Sequence, residues 1–254
     1  MAKRGFLRRL ERDLRRADRR VIVEMSTSSD PYPPEEERLR LTRRALKLLL
    51  ERGFKVIILT KSDMVLRDLD VVAGKPVTVS LTITTLDESL ARVLEPGAPP
   101  PSRRLECAEQ LAESGVPVSV RVDPVIPHLN DDPVMLRELV DAVVEAGARH
   151  IVTSAYKARP DSLARLSREF PDLASKWRLL YYEEGVRVGG YRYLRLSVRR
   201  RLLAPVVSEA AGLGVTYATC REGLSRDKMF FNAPTCDGSH LAWLARRSSP
   251  PGSR

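Results

Sequence analysis

The chain has 254 residues, of which 43% are hydrophobic, and its formal net charge is +10 at pH 7. A chain of this length and apolar content can bury a sizeable core, which argues against disorder throughout. Its apolar runs are far shorter than the roughly 20 residues of a membrane-spanning helix, and its 3 scattered cysteines do not make a secreted disulfide framework, so we expect a cytoplasmic protein with no membrane span.

Short runs rich in β-branched residues recur along the chain, each followed by a polar loop and a stretch with helical spacing. This alternation is typical of an α/β fold with a parallel sheet. The predicted strands are residues 20–25, 55–60, 77–83, 117–122 and 150–155. The predicted helices are residues 35–52, 63–72, 86–95, 102–114, 133–146 and 160–170. Because the strands are apolar on both faces, helices should cover a sheet that is either a full or partial barrel or open.

The alternation stops after residue 175. Residues around Gly189 and Gly190 alternate apolar with polar side chains and predict a hairpin, followed by a helix near 199–212 and a strand at 214–219. We therefore divide the chain into a β/α unit at 18–175, a C-terminal extension at 176–243 and a disordered tail at 244–254.

Polar residues gather directly after each predicted strand. In a parallel β/α fold these strand ends lie side by side and are the usual place of an active site. A purely structural alternative exists for the first loop, since Ser29 or Asp30 can cap the helix that follows. The polar loops are residues 26–30, 60–63, 82–87, 123–132 and 154–157.

Four segments in the same order resemble the radical S-adenosylmethionine (SAM) enzymes of the spore photoproduct lyase-like group. They are SSDPYPPEEERLRLTRRALKLL, ILTKSDMVLRDLDVV, the run from VSLTITT to PHLND, and CREG with CDGSHL, and the resemblance covers about residues 18–241. It implies a partial parallel (β/α) barrel that holds a 4Fe-4S cluster. In that group a CxxxCxxC loop after the first strand ligates three irons, and SAM chelates the fourth.

The resemblance also implies cofactor-binding residues. Ser29 matches a serine near the methionyl group of SAM, Lys61 a lysine that binds its carboxylate, and Ser80 a serine on its ribose side. An ammonium is a compact charge for a carboxylate, and hydroxyls hold polar atoms without adding charge. Considered singly, Lys61 and Ser80 would be an ordinary surface lysine and strand serine. Further candidates on the same rim are Asp30, Thr82 and Asp123.

One feature of the group is absent from the sequence, which contains no CxxxCxxC. The run RVIVEM matches the group's second strand, so the first β/α unit and the cluster ligands are expected upstream of this chain. The alternative is a shortened protein that does not hold the cluster in the usual way. In either case the chain alone is not expected to cleave SAM.

The three cysteines have different interpretations. Cys107 has core-facing helical spacing and predicts a buried structural thiol. PTCDGSH looks like part of the CDGSH iron-sulfur motif, but Ser225 and Asp227 replace its upstream cysteines, so we treat the match as coincidental. Two alternatives stay open for the others: a tail-borne metal site of Cys220, Cys236 and His240, or, as the resemblance implies, a thiol that donates hydrogen to a radical.

Two functions are compatible with these observations. The first is a radical SAM enzyme, or the barrel portion of one, that uses a 5′-deoxyadenosyl radical and an electron donor, with DNA or RNA as substrate by analogy. The second is a cluster-free basic α/β protein that binds nucleic acid without catalysis. Abundant arginine and proline-rich loops also predict a thermophile source. The arginines of the second hypothesis are Arg187, Arg192, Arg195 and Arg199–Arg201.

Overall fold

A parallel sheet forms the centre of the computed structural model, which describes residues 5–25 and 29–243. In chain order the strands of these residues are β1 (Ile22–Met25), β2 (Lys55–Thr60), β3 (Val77–Thr82), β4 (Val118–Val125), β5 (Ala148–Ala155), β6 (Val186–Val188), β7 (Tyr191–Tyr193) and β8 (Thr216–Thr219). Within the described residues, six strands pair in the order β1-β2-β3-β4-β5-β8, all parallel, and β6 pairs with β7 as an antiparallel hairpin.

Helices follow the strands along the chain. Those of the described residues are α1 (Phe6–Leu14), α2 (Glu36–Leu39), α3 (Leu41–Glu51), α4 (Leu69–Val72), α5 (Glu88–Leu94), α6 (Pro101–Glu113), α7 (Pro133–Glu145), α8 (Pro160–Glu169), α9 (Pro171–Arg178) and α10 (Leu196–Gly212). Turns of 3₁₀ helix lie at Asp63–Asp68 and Ser239–Trp243. The structure confirms the predicted α/β class, with a sheet consistent with a partial barrel, and the predicted hairpin.

The predicted single helix at 35–52 is wrong in one respect, because it breaks into α2 and α3 at Arg40. Arg40 has a φ of 47°, in the left-handed region. The buried carboxylate of Glu36 accepts a hydrogen bond from the backbone N–H of Thr42 at 2.6 Å. Glu36 therefore satisfies a free N–H at the start of α3, which stabilises a new helix start.

The two faces of the sheet differ in chemistry because successive side chains of a strand point to opposite sides. The outer face carries aliphatic residues, such as Val79 and Val120, which pack in one core with Leu46, Leu111 and other helix residues. The inner face is polar. One layer of it runs across adjacent strands through the register Ser80, Ser119, His150 and Thr216.

The chain after β8 runs along this inner face. A Cβ at Gly238 would lie 2.7 Å from Ser119 Oγ and 2.9 Å from the ring of His150, so only glycine fits there without a shift. Further on, the ring of Trp243 lies 5.8 Å from Nζ of Lys55, the first residue of β2. The tail segment, residues 235–243, thus fills the amino-terminal part of the inner face.

Two sequence predictions concern residues outside this description. The start of the first polar loop, residues 26–28, and the tail predicted to be disordered, residues 244–254, lie outside the described residues. Among the helices of the described residues, none combines the length and apolar character of a membrane span.

Candidate functional site

The carboxyl ends of the strands surround two open spaces. The first, the inner cavity, has a volume of about 580 Å³ and lies on the inner face. Its polar lining residues are Glu24, Arg121, Asp123, Ser154, Lys157, Cys220, Arg221, Cys236 and Asp237. The second, the rim cleft, has a volume of about 690 Å³ and contains Asp30, Lys61 and Glu95. The expected gathering of polar groups at this edge is therefore observed.

Asp30 is an anchor between the loops after β1 and β2. Its carboxylate accepts hydrogen bonds from Thr60 Oγ1 at 2.7 Å, from the backbone N–H of Lys61 at 2.7 Å and from the backbone N–H of Tyr32 at 2.9 Å. It does not cap α2, whose N-cap is Glu35. Since its oxygens are occupied within the chain, Asp30 positions Lys61 rather than being left open for a cofactor.

Lys61 is held at the rim cleft by a second set of charges. Its Nζ lies 2.7 Å from Glu95, and Glu95 lies 2.5 Å from the buried guanidinium of Arg104. Arg104 also donates to the backbone carbonyl of Thr82 at 2.8 Å, which ties the group to the end of β3. The Lys61 ammonium is paired with the Glu95 carboxylate, and the Lys61 side chain is 41% exposed. The ammonium can therefore also contact an anionic ligand that enters the cleft.

Ser29, Ser80 and Thr82 occupy different depths. Ser29 lines a cavity beside Asp30. Ser80 is fully buried, and its hydroxyl donates to Ser119 Oγ at 3.4 Å. Thr82, at the end of β3, is buried on the same face. Ser29 thus lines a cavity whose lining does not include Lys61, and Ser80 lies on the inner face below the rim.

Asp123 lies in the inner cavity and is paired within the chain. Its carboxylate accepts hydrogen bonds from Ser154 Oγ and from the guanidinium of Arg121, the latter at 2.5 Å. Arg121 is only 14% exposed, so it is a buried cation between the carboxylate above it and the tail. Sequence reasoning proposed Asp123 but missed Arg121, since an arginine inside a strand gives no signal of which face it occupies.

A buried ion network, formed by Glu222, Lys157 and Arg199, borders the inner cavity. The Glu222 carboxylate accepts from Lys157 at 2.7 Å, from Arg199 at 3.0 Å and from the backbone N–H of Ala155 at 3.0 Å. The Glu222 side chain has no exposed area. The network joins the end of β5 to α10, and sequence reasoning did not identify it.

Cys220 and Cys236 meet in the inner cavity. The Cys236 thiol donates a hydrogen bond to the Cys220 sulfur, which lowers the pKa of Cys220 to about 6, and Arg121 acts in the same direction. The negative sulfur of Cys220 in turn raises the pKa of Cys236. Cys107 is fully buried on α6, as predicted, and burial raises its pKa to about 12.

His240 does not join the two sulfurs. Its Nδ1 lies 2.9 Å from Thr235 Oγ1, and its ring packs edge-on against His150 at 5.1 Å between centroids. In the described residues no three His, Cys, Asp or Glu side chains form a group that could hold a metal ion. The tail-borne metal site, one of the two alternatives left open by the sequence, is therefore not formed in the described residues, where His240 contacts Thr235 and the buried His150.

The arginines proposed for nucleic-acid binding divide into two sets. Arg195 donates to the carbonyl of Glu184, and Arg199 belongs to the buried ion network, so both serve the chain itself. Arg187 is exposed on the hairpin, and Arg192 stacks at 4.8 Å on the ring of Tyr182. The hairpin thus presents cations beside aromatic rings.

Comparison with known families decides the class of the protein. The domain described as radical SAM superfamily matches residues 6–140, more than half of the chain. The chain belongs to the radical SAM superfamily. It is 30% identical over 209 residues to the protein Rv2578c of Mycobacterium tuberculosis, covering 79% of this chain and 60% of that one. It is 22% identical over 241 residues to a radical SAM Nalpha-GlyT isomerase of Pseudomonas phage M6, covering 87% and 49%.

Solved structures share the fold of this superfamily member. Spore photoproduct lyase with bound SAM and dinucleoside spore photoproduct aligns with a TM-score of 0.62 at 16% identity, over 84% of this chain and 61% of that chain. SuiB of Streptococcus suis aligns with a TM-score of 0.55 at 18% identity, over 86% and 44%. The chain spans no more than about 60% of the length of the curated relatives reported above.

The family implies two bound groups, SAM and a 4Fe-4S cluster, and the residues of this chain fit only the first. The rim cleft offers a partly exposed ammonium, that of Lys61, which suits the carboxylate of SAM. The cluster does not fit the described residues, because Cys107 is buried on the helix side of the sheet and only two other cysteines are present. Three thiolate ligands therefore cannot converge here.

Proposed function

We propose that this chain is the SAM-binding barrel of a radical SAM enzyme. The observation that supports the proposal is the double fixation of Lys61, whose backbone N–H is held by Asp30 and whose ammonium is held by Glu95. Glu95 is in turn paired with Arg104. Such preorganisation lowers the entropy that is lost when a ligand binds. Lys61 binds the methionyl carboxylate, and Ser29, the neighbour of Asp30 in the chain, contacts the methionyl group.

When bound, SAM supplies the radical chemistry of the superfamily. No step through the cluster is assigned to this chain, because its ligands are not among the described residues. The part of the chain is to bind the methionyl carboxylate at the rim cleft and to exclude water from the amino-terminal end of the inner face. The tail segment serves the second task, since it packs along that end.

Replacement of Lys61 by alanine is expected to weaken SAM binding by about 10- to 150-fold, the range of a charge-assisted hydrogen bond of about 1.5–3 kcal/mol. Equilibrium titration with SAM measures the effect. Lys75→Ala is the matched control, because Lys75 is an exposed lysine in the turn before β3, at the opposite end of that strand. Equal SAM affinities of the two variants would contradict the assignment of Lys61.

We also propose nucleic acid as the substrate class, supported by the net charge of +10 and by the exposed hairpin cations. The double variant Arg187→Gln, Arg192→Gln is expected to reduce the slope of log affinity against log salt for DNA by about 2, one unit for each lost phosphate contact. The exposed Arg165→Gln on α8 is the control. Binding titrations at several salt concentrations measure the slope, and an unchanged slope would remove the hairpin from the interface.

A further inference from the structure

The two cysteines of the inner cavity remain without a role in SAM binding. Cys220 follows β8, and its backbone N–H donates to the carbonyl of Thr153 at 2.9 Å. Cys236 lies 16 positions later in the tail, and both line the same cavity. Each thiol shifts the pKa of the other. Two free thiols are therefore near each other in a space that small molecules can enter.

The backbone on both sides of Cys236 is fixed. Before it, Asn232 and Tyr217 exchange two hydrogen bonds, one from the Asn232 backbone N–H at 3.1 Å and one to the Asn232 side-chain oxygen at 2.6 Å. After it, Gly238 packs against Ser119 and His150. Because β8 and the tail are both held to the sheet, the two cysteines are kept in the same cavity.

The surroundings of the two sulfurs favour a thiolate at Cys220 and a thiol at Cys236. The hydrogen bond from Cys236 is the largest cause of the lowered pKa of Cys220, and Arg121 assists it. Burial and Asp123 act in the opposite direction, and the resulting pKa is about 6. The pKa of Cys236 is raised, mainly by the hydrogen bond to Cys220. This division gives one nucleophile and one protonated partner. The charged groups that line the cavity around both sulfurs are Glu24, Arg121, Asp123, Lys157, Arg221 and Asp237.

We propose that Cys220 and Cys236 form a dithiol site that exchanges electrons with low-molecular-weight disulfides in the inner cavity. The Cys220 thiolate attacks one sulfur of the small disulfide, which forms a mixed disulfide and releases one thiolate. Cys236 then transfers its proton to the thiolate released first and attacks the Cys220 sulfur, which forms the Cys220–Cys236 disulfide and releases a second thiolate that takes a proton from water. The protein dithiol is oxidised by two electrons, and the small disulfide is reduced to two thiols.

The test uses the full chain, reduced and without SAM, so that its result is independent of the proposed cofactor binding. Oxidised glutathione is the probe. Free thiols per chain are expected to fall from three to one, with Cys107 unmodified, and peptide mapping without reduction should find Cys220 linked to Cys236. At pH 6 the alkylation of Cys220 by iodoacetamide should be at least about tenfold faster than that of Cys107 under the same conditions.

Two variants separate the steps, and a third is the control. Cys236→Ser should stop at a glutathione adduct on Cys220, whereas Cys220→Ser should remain largely unmodified. Cys107→Ser should form the internal disulfide as the wild type does. Circular dichroism spectra verify that each variant is folded. The proposal is overturned if the folded wild type keeps three free thiols, if glutathione adds to both cysteines independently, or if the disulfide forms between two chains.

Discussion

Replacement of Glu222 by alanine is expected to lower the free energy of unfolding by about 3–5 kcal/mol, because removal of one partner leaves buried charges uncompensated. The Glu222 side chain has no exposed area, and those of Lys157 and Arg199 are only 14% and 13% exposed. The backbone N–H of Ala155 would also lose its acceptor. Urea unfolding, followed by circular dichroism, measures the change.

A matched control distinguishes this network from an ordinary ion pair. Asp227 pairs with Arg200 at the surface, where the two side chains are 29% and 43% exposed. Asp227→Ala is expected to cost about 1 kcal/mol or less, since exposed ion pairs contribute little. Glu222→Gln should fall between the two, because an amide keeps the shape and one acceptor but not the charge. Equal losses for Glu222→Ala and Asp227→Ala would show that the network does not stabilise the fold.

Acidification is expected to destabilise the protein through His150. Burial, with a smaller effect from His240, lowers the pKa of His150 to about 4, below the ordinary value of 6.5. Between these two pH values the unfolded chain binds a proton that the folded chain does not, so stability falls as the pH falls through this window. A shift of this size corresponds to about 3 kcal/mol between pH 7 and pH 4.

The variant His150→Gln removes the titrating ring, and the readout is the pH dependence of stability rather than stability itself. Unfolding free energies at several pH values between 4 and 7 should fall by about 3 kcal/mol less in this variant than in the wild type. His128→Asn is the control, because His128 is exposed and has a φ of 63°, which asparagine tolerates. Identical pH profiles for the wild type and His150→Gln would contradict a neutral His150 in the fold.

The sheet could be predicted from the sequence because its strands are short β-branched runs between polar loops. The break at Arg40 could not be predicted, since residues 35–52 contain neither glycine nor proline. The break depends on the Glu36 carboxylate, which reaches the backbone N–H of Thr42 only in the folded chain. Local propensity favours a continuous helix, and a tertiary hydrogen bond overrides it.

The candidate site was predictable as a location but not as a set of contacts. Strand periodicity places Lys61 and Asp123 at the carboxyl edge, as the structure shows. It does not reveal that Asp30 is occupied by three donors or that Arg104 and Glu95 support Lys61. Most charged side chains are solvated, and a sequence does not distinguish the few that are buried in pairs. The same reason explains why Glu222 and Arg121 were missed.

The path of the tail segment has a practical consequence. The chain passes from the inner cavity at Cys236 to the ring of Trp243 beside Lys55, which begins a strand. Trp243 therefore lies at the end of the barrel opposite the rim cleft. A fluorophore attached at position 243 itself therefore lies on the far side of the protein and should leave the rim cleft open to incoming molecules.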